Sequence, residues 1–214
     1  MLLIGMYDSP FVRRVAISMK LCGIAFEHGD WSIGADFERI RQYNPLVRVP
    51  TLVLDDGEVL FESAMLLDYL DELVGPQRAL LPRIGRDRRT ALRLIASAAG
   101  AADKGREQIY ERAFRPADKR HEPWIARCRT QMHGALSELE RHAGERGAGR
   151  WLVGEQLTQA DITVVCAFTF LIEALSLSTH SAAYPSLRAL AARCEALPEF
   201  ESTKAEYSAP VAYG

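Results

Sequence analysis

Residues 44–63 read NPLVRVPTLVLDDGEVLFES, and this stretch indicates the fold class. Two apolar runs flank a turn that contains Asp56-Gly57, which is the sequence pattern of a β-hairpin. Ser63 then precedes a segment whose leucines recur at helical spacing, so we expect a helix that begins here with the Ser63 side chain as its N-cap. The stretch therefore predicts two hairpin strands followed directly by a helix.

The segment before this hairpin predicts two strands that alternate with two helices. Leu2–Tyr7 is a short apolar run typical of a buried strand. It is followed by Ser9 and Pro10, which suit the N-cap and the first position of a helix. A second strand over 25–31 and a short amphipathic helix over 36–43 complete the order βαβα before ββα. Such an order implies a sheet covered by helices.

The stretch from Gly75-Pro76 through Pro82 and Gly85 indicates a linker, which we place at 77–86. Beyond it no stretch predicts a strand, and Thr158–Asp161 fits a helix capping box with Asp in place of Glu or Gln. We therefore expect an α/β domain over 1–76 and an all-α domain over 87–214. The helices predicted for the second domain cover 87–114, 123–142, 157–177 and 185–197.

Composition and charge exclude several function classes. The chain has 214 residues and a formal net charge of −2, so its overall field favours neither nucleic acid nor an anionic membrane. No apolar run approaches the about 20 residues that a membrane span needs, and Met1–Tyr7 does not resemble a signal peptide. The scattered cysteines form no metal-binding motif and are typical of reduced thiols, which favours a cytoplasmic protein without a bound metal. They are Cys22, Cys128, Cys166 and Cys194.

Three motifs in a fixed order carry a family resemblance. They are Ser9–Ile17 (SPFVRRVAI), 44–52 together with Phe61-Glu62-Ser63, and Leu152-Val153-Gly154 ahead of 158–162. In this order and spacing they resemble the cytosolic glutathione transferases over almost the whole chain, and the Ser-Pro-Phe start is similar to serine-type members, including many bacterial ones. The resemblance implies a thioredoxin-like N-terminal domain that binds glutathione and an all-α C-terminal domain that receives an apolar substrate. It also implies a homodimer that needs no metal.

The resemblance further implies which residues hold glutathione. A cis bond between Val49 and Pro50 would present the Val49 N–H and C=O to the cysteinyl unit, whereas the residues alone favour a trans proline at the start of a strand. Ser63 and its helix N-terminus would bind the γ-glutamyl carboxylate, a role compatible with capping, and Glu62 would accept from the γ-glutamyl ammonium. Arg48 would meet the glycyl carboxylate, or it is a solvated surface arginine.

Ser9 is the residue that the resemblance assigns to thiol activation. A cysteine thiol has a pKa of about 8.5 and is mostly protonated at pH 7, so a hydrogen bond from the Ser9 hydroxyl and the dipole of the following helix would both favour the thiolate. A plain helix cap is one alternative, and Tyr7 is another, since some classes of the family use a tyrosine at the end of this strand. Arg13 and Arg14 are interpreted as structural, because charges on an early helix usually pair with a carboxylate.

The sequence says least about the site that binds the second substrate. Phe11, Tyr110 and Phe114 are candidates from their expected position near the cleft, although any of them can be ordinary core. The resemblance implies attack of the glutathione thiolate on a small apolar electrophile, which gives a thioether. A glutathione-dependent isomerase, dehalogenase or peroxidase stays open as an alternative, as does a non-catalytic glutathione-binding interaction protein, because a fold does not fix its chemistry.

Overall fold

A mixed four-stranded sheet forms the centre of the first part of the molecule. The computed structural model describes residues 1–177 and 183–210. In the sheet order β2-β1-β3-β4, β1 pairs in parallel with β2, and the other neighbours are antiparallel. Each strand has three residues, fewer than predicted, but the predicted hairpin between β3 and β4 is confirmed. The strands are β1 (Leu2–Ile4), β2 (Glu27–Gly29), β3 (Thr51–Val53) and β4 (Val59–Phe61).

Three helices pack on the two faces of this sheet. They are α1 (Pro10–Leu21), α2 (Phe37–Arg41) and α3 (Ser63–Val74). Neighbouring side chains on a strand point to opposite faces, and Leu3 accordingly joins the apolar cluster of α1 and α3, while Ile4 joins Ile40 of α2. The sheet is thus covered by helices, as the sequence predicts.

A bundle of helices forms the second part of the molecule. The elements are α4 (Gly85–Ala113), α5 (Glu122–Arg146), α6 (Gln159–Ala174), α7 (Pro185–Glu195) and α8 (Pro198–Glu201), with one 3-10 turn at Ala117–Lys119. α6 is the central element, because every residue from Gln159 to Phe168 is buried. Gly105 allows α4 to approach α6 closely, since a Cβ at this position would lie 2.2 Å from Leu171 Cδ2. The predicted α/β plus all-α architecture is confirmed.

The predicted capping box at the start of α6 is also confirmed. The Asp161 carboxylate accepts hydrogen bonds from the Thr158 N–H at 2.9 Å and from the Leu152 N–H at 2.8 Å, and it is fully buried. Burial raises the pKa of Asp161, while these donors act in the opposite direction. The motif therefore ties the segment before α6 to the first turn of the most buried helix.

Arg13 joins the two parts of the molecule. Its guanidinium donates to both carboxylate oxygens of Glu195 on α7, at 2.8 and 2.6 Å, and to the backbone C=O groups of Phe200 and Thr203, at 3.0 and 3.2 Å. This pairing confirms the interpretation of Arg13 as a structural charge with a carboxylate partner. α1 is thereby fixed against the C-terminal helices.

α3 ends at Val74 and α4 begins at Gly85, so residues 77–84 of the predicted linker lie between two helices and residues 85–86 belong to α4. The domain limits at 76 and 87 stay predictions, and residues 211–214 of the predicted second domain lie outside the described residues. Among residues 1–177 and 183–210, no helix combines the length and the hydropathy needed to cross a bilayer.

Candidate functional site

A cleft of about 560 Å³ lies between the loops of the sheet and α4. Its walls come from the loop before α1, the segments 31–35 and 47–49, α4 and the C-terminal segment 207–210. The structure brings together six of the eight site residues that the sequence analysis names: Ser9, Phe11, Arg48, Val49, Tyr110 and Phe114. The other two, Glu62 and Ser63, lie beside the cleft rather than on its wall.

Ser9 occupies the N-cap position of α1, as the sequence predicts, but its side chain forms no capping hydrogen bond. Its backbone has φ −73° and ψ 121°, and its N–H donates to the Met6 C=O at 3.2 Å. Pro10 at the next position fits the first turn of the helix, where its missing N–H leaves no unpaired donor. Ser9 thus lines the cleft at the positive end of a 12-residue helix, and its hydroxyl is not used to cap that helix.

Tyr7 occupies a different environment from Ser9. Its ring stacks on His28, with the ring centroids 3.8 Å apart, and it lines a smaller neighbouring cavity of about 130 Å³ instead of the main cleft. Burial raises the pKa of the Tyr7 hydroxyl, and the charge of Asp30 adds to this effect. Both features make Tyr7 a poorer candidate than Ser9 for activating a thiol in the main cleft.

Val49 presents unpaired backbone groups at the cleft. The Val49–Pro50 bond is cis, which confirms the prediction. Across the described ranges, neither the N–H nor the C=O of Val49 has a hydrogen-bond partner. Gly5 is required behind it, because Gly5 has φ +129° and a Cβ there would lie 2.7 Å from Val49 Cβ. The glycine lets the backbone of the first strand pass directly behind this edge of the cleft.

The prediction that Ser63 caps α3 is wrong, because Glu62 occupies the N-cap position and Ser63 is already helical. Glu62 turns the chain from β4 into α3 with φ 75° and ψ 115°, a conformation that non-glycine residues rarely adopt. Such strained positions cluster at functional sites. Its carboxylate lies 4.0 Å from Arg48 Nη1, which places it at the edge of the cleft.

The Ser63 hydroxyl is fully buried and is held by two neighbours. It accepts a hydrogen bond from Arg14 Nη2 at 2.6 Å and donates to Glu62 Oε1 at 3.2 Å. Arg14 thus has a hydroxyl partner here, where the sequence analysis expects a carboxylate, and burial lowers its pKa. Its Nε has no partner within residues 1–177 and 183–210. These contacts tie α1 to the start of α3 directly beside Arg48.

The far side of the cleft is mainly aromatic. The Tyr110 and Phe114 rings meet edge to face at 4.9 Å, and Phe170 and Tyr207 meet at 5.9 Å. Sequence reasoning missed Phe170, Tyr207 and Arg106 of this wall. Phe170 belongs to a helix that is apolar on nearly every side, and Tyr207 to an irregular C-terminal segment, so neither has a distinguishing pattern.

The described residues contain no group of three or more His, Cys, Asp or Glu side chains that could hold a metal ion. The free cysteines are all buried, and burial raises the pKa of Cys166 to about 12. These thiols are therefore poor nucleophiles, because the thiolate is the reactive form. The polar side chains that line the main cleft include those of Ser9, Asp8, Arg48 and Arg106.

The comparisons with known proteins agree on one protein family. Residues 3–78 match the family model described as glutathione S-transferase, N-terminal domain, and residues 122–193 match glutathione S-transferase, C-terminal domain. The uncharacterized GST-like protein YibF of Escherichia coli is 33% identical over 80% of this chain and 82% of its own length. A probable maleylacetoacetate isomerase of Vibrio cholerae is 27% identical over 96% of both chains. A glutathione transferase family member from Pseudomonas fluorescens Pf-5, solved with bound glutathione, is 31% identical with a TM-score of 0.81, covering 95% of this chain and 98% of that chain.

Proposed function

The chain belongs to the glutathione S-transferase family, and from this premise we propose that it transfers the glutathione thiolate to a small apolar electrophile. The observation that carries the proposal is the uncapped Ser9 hydroxyl at the N-terminus of α1, in the same cleft as the unpaired Val49 backbone. The bound glutathione in the Pseudomonas fluorescens relative supports glutathione as the co-substrate. No metal takes part in the proposed reaction.

Ser9 lowers the pKa of the bound thiol in this proposal, as in serine-type members. The dipole of α1 contributes roughly 0.3–1 kcal/mol at an exposed helix end. A hydrogen bond to a charged group contributes about 1.5–3 kcal/mol. Because one pKa unit corresponds to about 1.36 kcal/mol, the two effects together lower a thiol pKa of about 8.5 by one to two units or more. The thiolate then becomes a substantial species at pH 7.

The tripeptide is held along the edge of the first domain. The Val49 N–H and C=O pair with the cysteinyl unit in the manner of an added strand. Arg48, an exposed residue of the cleft wall, meets the glycyl carboxylate. Glu62 accepts from the γ-glutamyl ammonium, and Ser63 turns its hydrogen from Glu62 to the γ-glutamyl carboxylate at the N-terminus of α3. Phe11, Tyr110 and Phe114 contact the electrophile.

A glutathione-dependent isomerase is a second candidate on this scaffold. The observation that favours it is the 27% identity to the probable maleylacetoacetate isomerase over 96% of both chains. Isomerisation needs the same thiolate, which adds to a conjugated double bond and leaves again after rotation. Incubation with glutathione and a cis-configured conjugated diketone separates the two candidates. A trans product without net consumption of glutathione supports the isomerase, and a stable thioether supports the transferase.

We also propose that the protein is a cytoplasmic homodimer with domains at 1–76 and 87–214 joined by the linker 77–86. Apolar side chains that one chain leaves uncovered support an interface: Met65 is 48% exposed and Leu73 49% on α3, and Leu92 is 43% exposed on α4. Burying such side chains against a second copy is favourable, at about 25 cal/mol per Å² of apolar surface.

Calorimetric titration with glutathione tests the proposed function. Wild-type protein is expected to bind glutathione, and Glu62→Ala to bind it about 10- to 100-fold more weakly, since a charged hydrogen bond is lost. Glu62→Gln keeps the side-chain length but not the charge and should fall between them. Glu58→Ala, on the exposed hairpin, serves as the matched control and should bind like wild type. Equal affinities for all variants would remove Glu62 from the site, and absence of binding by wild type would refute the function itself.

A further inference from the structure

The smaller cavity beside Tyr7, of about 130 Å³, has no role in the proposed function. We call it the small cavity. It lies between the loop before α1, the helices α1, α6 and α7, and the segment that follows α8. Asp8 and Pro10 line both the small cavity and the main cleft, whereas Ser9, Arg48 and Val49 line only the cleft. The small cavity is therefore a separate space beside the proposed glutathione site.

Most charged groups on the walls of the small cavity already have partners. The Arg13 guanidinium donates to both Glu195 oxygens, at 2.8 and 2.6 Å, and to Thr169 Oγ1 at 3.4 Å. The Asp8 carboxylate accepts a hydrogen bond from the Ser208 N–H at 3.1 Å. These contacts hold the walls in place, and they leave the binding of a charged ligand to other groups.

Two opposite charges at the mouth of the small cavity have no partner. Glu173 lies in the last turn of α6 and Lys204 follows α8, and both residues are exposed. Among residues 1–177 and 183–210, neither side chain forms a hydrogen bond or an ion pair. Burial raises the pKa of Glu173, whereas the nearby charges of Arg13 and Lys204 act in the opposite direction. Glu173 and Lys204 therefore lie near each other at one cavity without contact.

The Tyr7 hydroxyl is a third polar group without a partner at the small cavity. The stack on His28 holds its ring, but no group in the described ranges forms a hydrogen bond with the hydroxyl. Burial raises the pKa of Tyr7, so the phenol stays protonated at neutral pH and can donate to an anionic group. Pro10 and Phe170 add apolar surface to the same walls.

The size of the small cavity limits the ligand to a few atoms. A cavity of about 150 Å³ accepts benzene, so one of about 130 Å³ holds about five or six heavy atoms. An α-amino acid carries an ammonium and a carboxylate on one carbon atom. It can therefore bridge two opposite charges that do not contact each other, whereas a ligand with a single charge would use only one of them.

We propose that the small cavity binds a small α-amino acid as its zwitterion. The ligand ammonium donates to the Glu173 carboxylate, and the ligand carboxylate accepts from the Lys204 ammonium and the Tyr7 hydroxyl. A short side chain, such as that of alanine, then faces Pro10 and Phe170. The Arg13–Glu195 pair stays intact. The inference goes beyond the proposed function and does not rest on it, because it uses no residue of the glutathione site.

Calorimetric titration with L-alanine, alone and with saturating glutathione, tests this site. Wild-type protein is expected to bind one alanine per chain in the millimolar range, equally well with glutathione present. Propionate lacks the ammonium and ethylamine lacks the carboxylate. Each should bind about 10-fold more weakly, which is the lower end for loss of a charged hydrogen bond, because the mouth of the cavity is open to water.

Variants at the mouth of the small cavity locate the ligand. Glu173→Gln and Lys204→Met should each weaken alanine binding about 10-fold and leave glutathione affinity within twofold of wild type. Glu58→Gln and Lys119→Met change exposed charges outside the cavity and are the matched controls. Both controls should bind alanine like wild type. Thermal unfolding checks first that all four variants are folded.

The outcomes separate this inference from the proposed function. No alanine binding by wild type, or wild-type affinity in both Glu173→Gln and Lys204→Met, would overturn the site. Ethylamine or propionate binding as tightly as alanine would overturn the zwitterion as the ligand. Displacement of alanine by glutathione would place it at the γ-glutamyl position beside Glu62 and overturn its location. Failure of wild type to bind glutathione would refute the proposed function alone, because alanine is also titrated by itself.

Discussion

Replacing Arg13 with methionine is predicted to destabilise the protein strongly, although Arg13 lies in the same motif as Ser9. Methionine retains an unbranched side chain of similar reach but removes all donors. It leaves the Glu195 carboxylate, whose side chain is only 21% exposed, without the guanidinium that lies 2.6 Å from it. It also leaves the Phe200 and Thr203 C=O groups without their donors.

The magnitude follows from these contacts. Breaking a buried ion pair by removing one partner costs about 3–5 kcal/mol. Because Glu195 keeps partial access to water, we expect the lower end, about 3 kcal/mol. For a chain of this size, 1 kcal/mol shifts the melting temperature by roughly 2–4 °C, so the expected decrease is about 6–12 °C. Arg13→Met/Glu195→Leu should recover part of the loss, because no unpaired carboxylate remains.

Thermal and urea unfolding of the variants measures this prediction. Arg41→Met is the matched control, since Arg41 and Glu38 are also 2.6 Å apart but 61% and 71% exposed. Exposed pairs contribute little, so this variant should unfold close to wild type. Equal losses for Arg13→Met and Arg41→Met, or a double variant less stable than Arg13→Met, would refute the claim that burial makes the Arg13 pair important.

Three further outcomes are expected. Asp161→Ala should lower the free energy of unfolding by about 2–4 kcal/mol in urea titrations, because two buried backbone N–H groups lose their acceptor; an unchanged midpoint would contradict the capping-box argument. Gly5→Ala should lose about 3 kcal/mol or more and weaken glutathione binding in calorimetry, because the new Cβ would lie 2.7 Å from Val49 Cβ; wild-type stability and affinity would show that this close approach can relax. Light scattering should give about twice the chain mass of 23.8 kDa, and Met65→Asp should shift this toward the monomer; a wild-type monomer at micromolar concentration would exclude the dimer.

Local patterns account for the parts of the fold that the sequence predicts well. The hairpin around Asp56-Gly57 and the capping box at Thr158–Asp161 are each specified by residues that are close along the chain. The cis bond at Val49–Pro50 is predicted only by the family resemblance, because the local sequence pattern favours a trans bond. The ends of the elements differ from the prediction, since each strand is shorter than the apolar run that predicts it.

The remaining features depend on contacts between distant residues. Ser63 was interpreted as a cap from its place before an apolar run, but Arg14, 49 residues earlier, takes its hydroxyl, and the chain turns at Glu62 instead. Tyr207 lies at the cleft next to Ser208, whose N–H donates a hydrogen bond to Asp8, 200 residues earlier in the chain. No periodicity in the sequence reports such contacts, so the second-substrate wall was the part that reasoning from sequence described least.

The pKa of the glutathione thiol bound to wild type and to Ser9→Ala tests the central claim most directly. It is followed by thiolate absorbance against pH, after thermal unfolding has shown that the variant is folded. Ser9 makes no capping hydrogen bond, so little stability should be lost. The affinity of Ser9→Ala for glutathione should stay close to that of wild type, because the protein holds the peptide mainly by its two carboxylates and its backbone.

We expect the thiol pKa to rise by about one to two units in Ser9→Ala, which corresponds to about 1.5–3 kcal/mol for a charged hydrogen bond, and turnover to fall by about 10²-fold. A folded Ser9→Ala protein with an unchanged thiol pKa and full turnover would contradict the account, and Tyr7→Phe would then be the variant to measure.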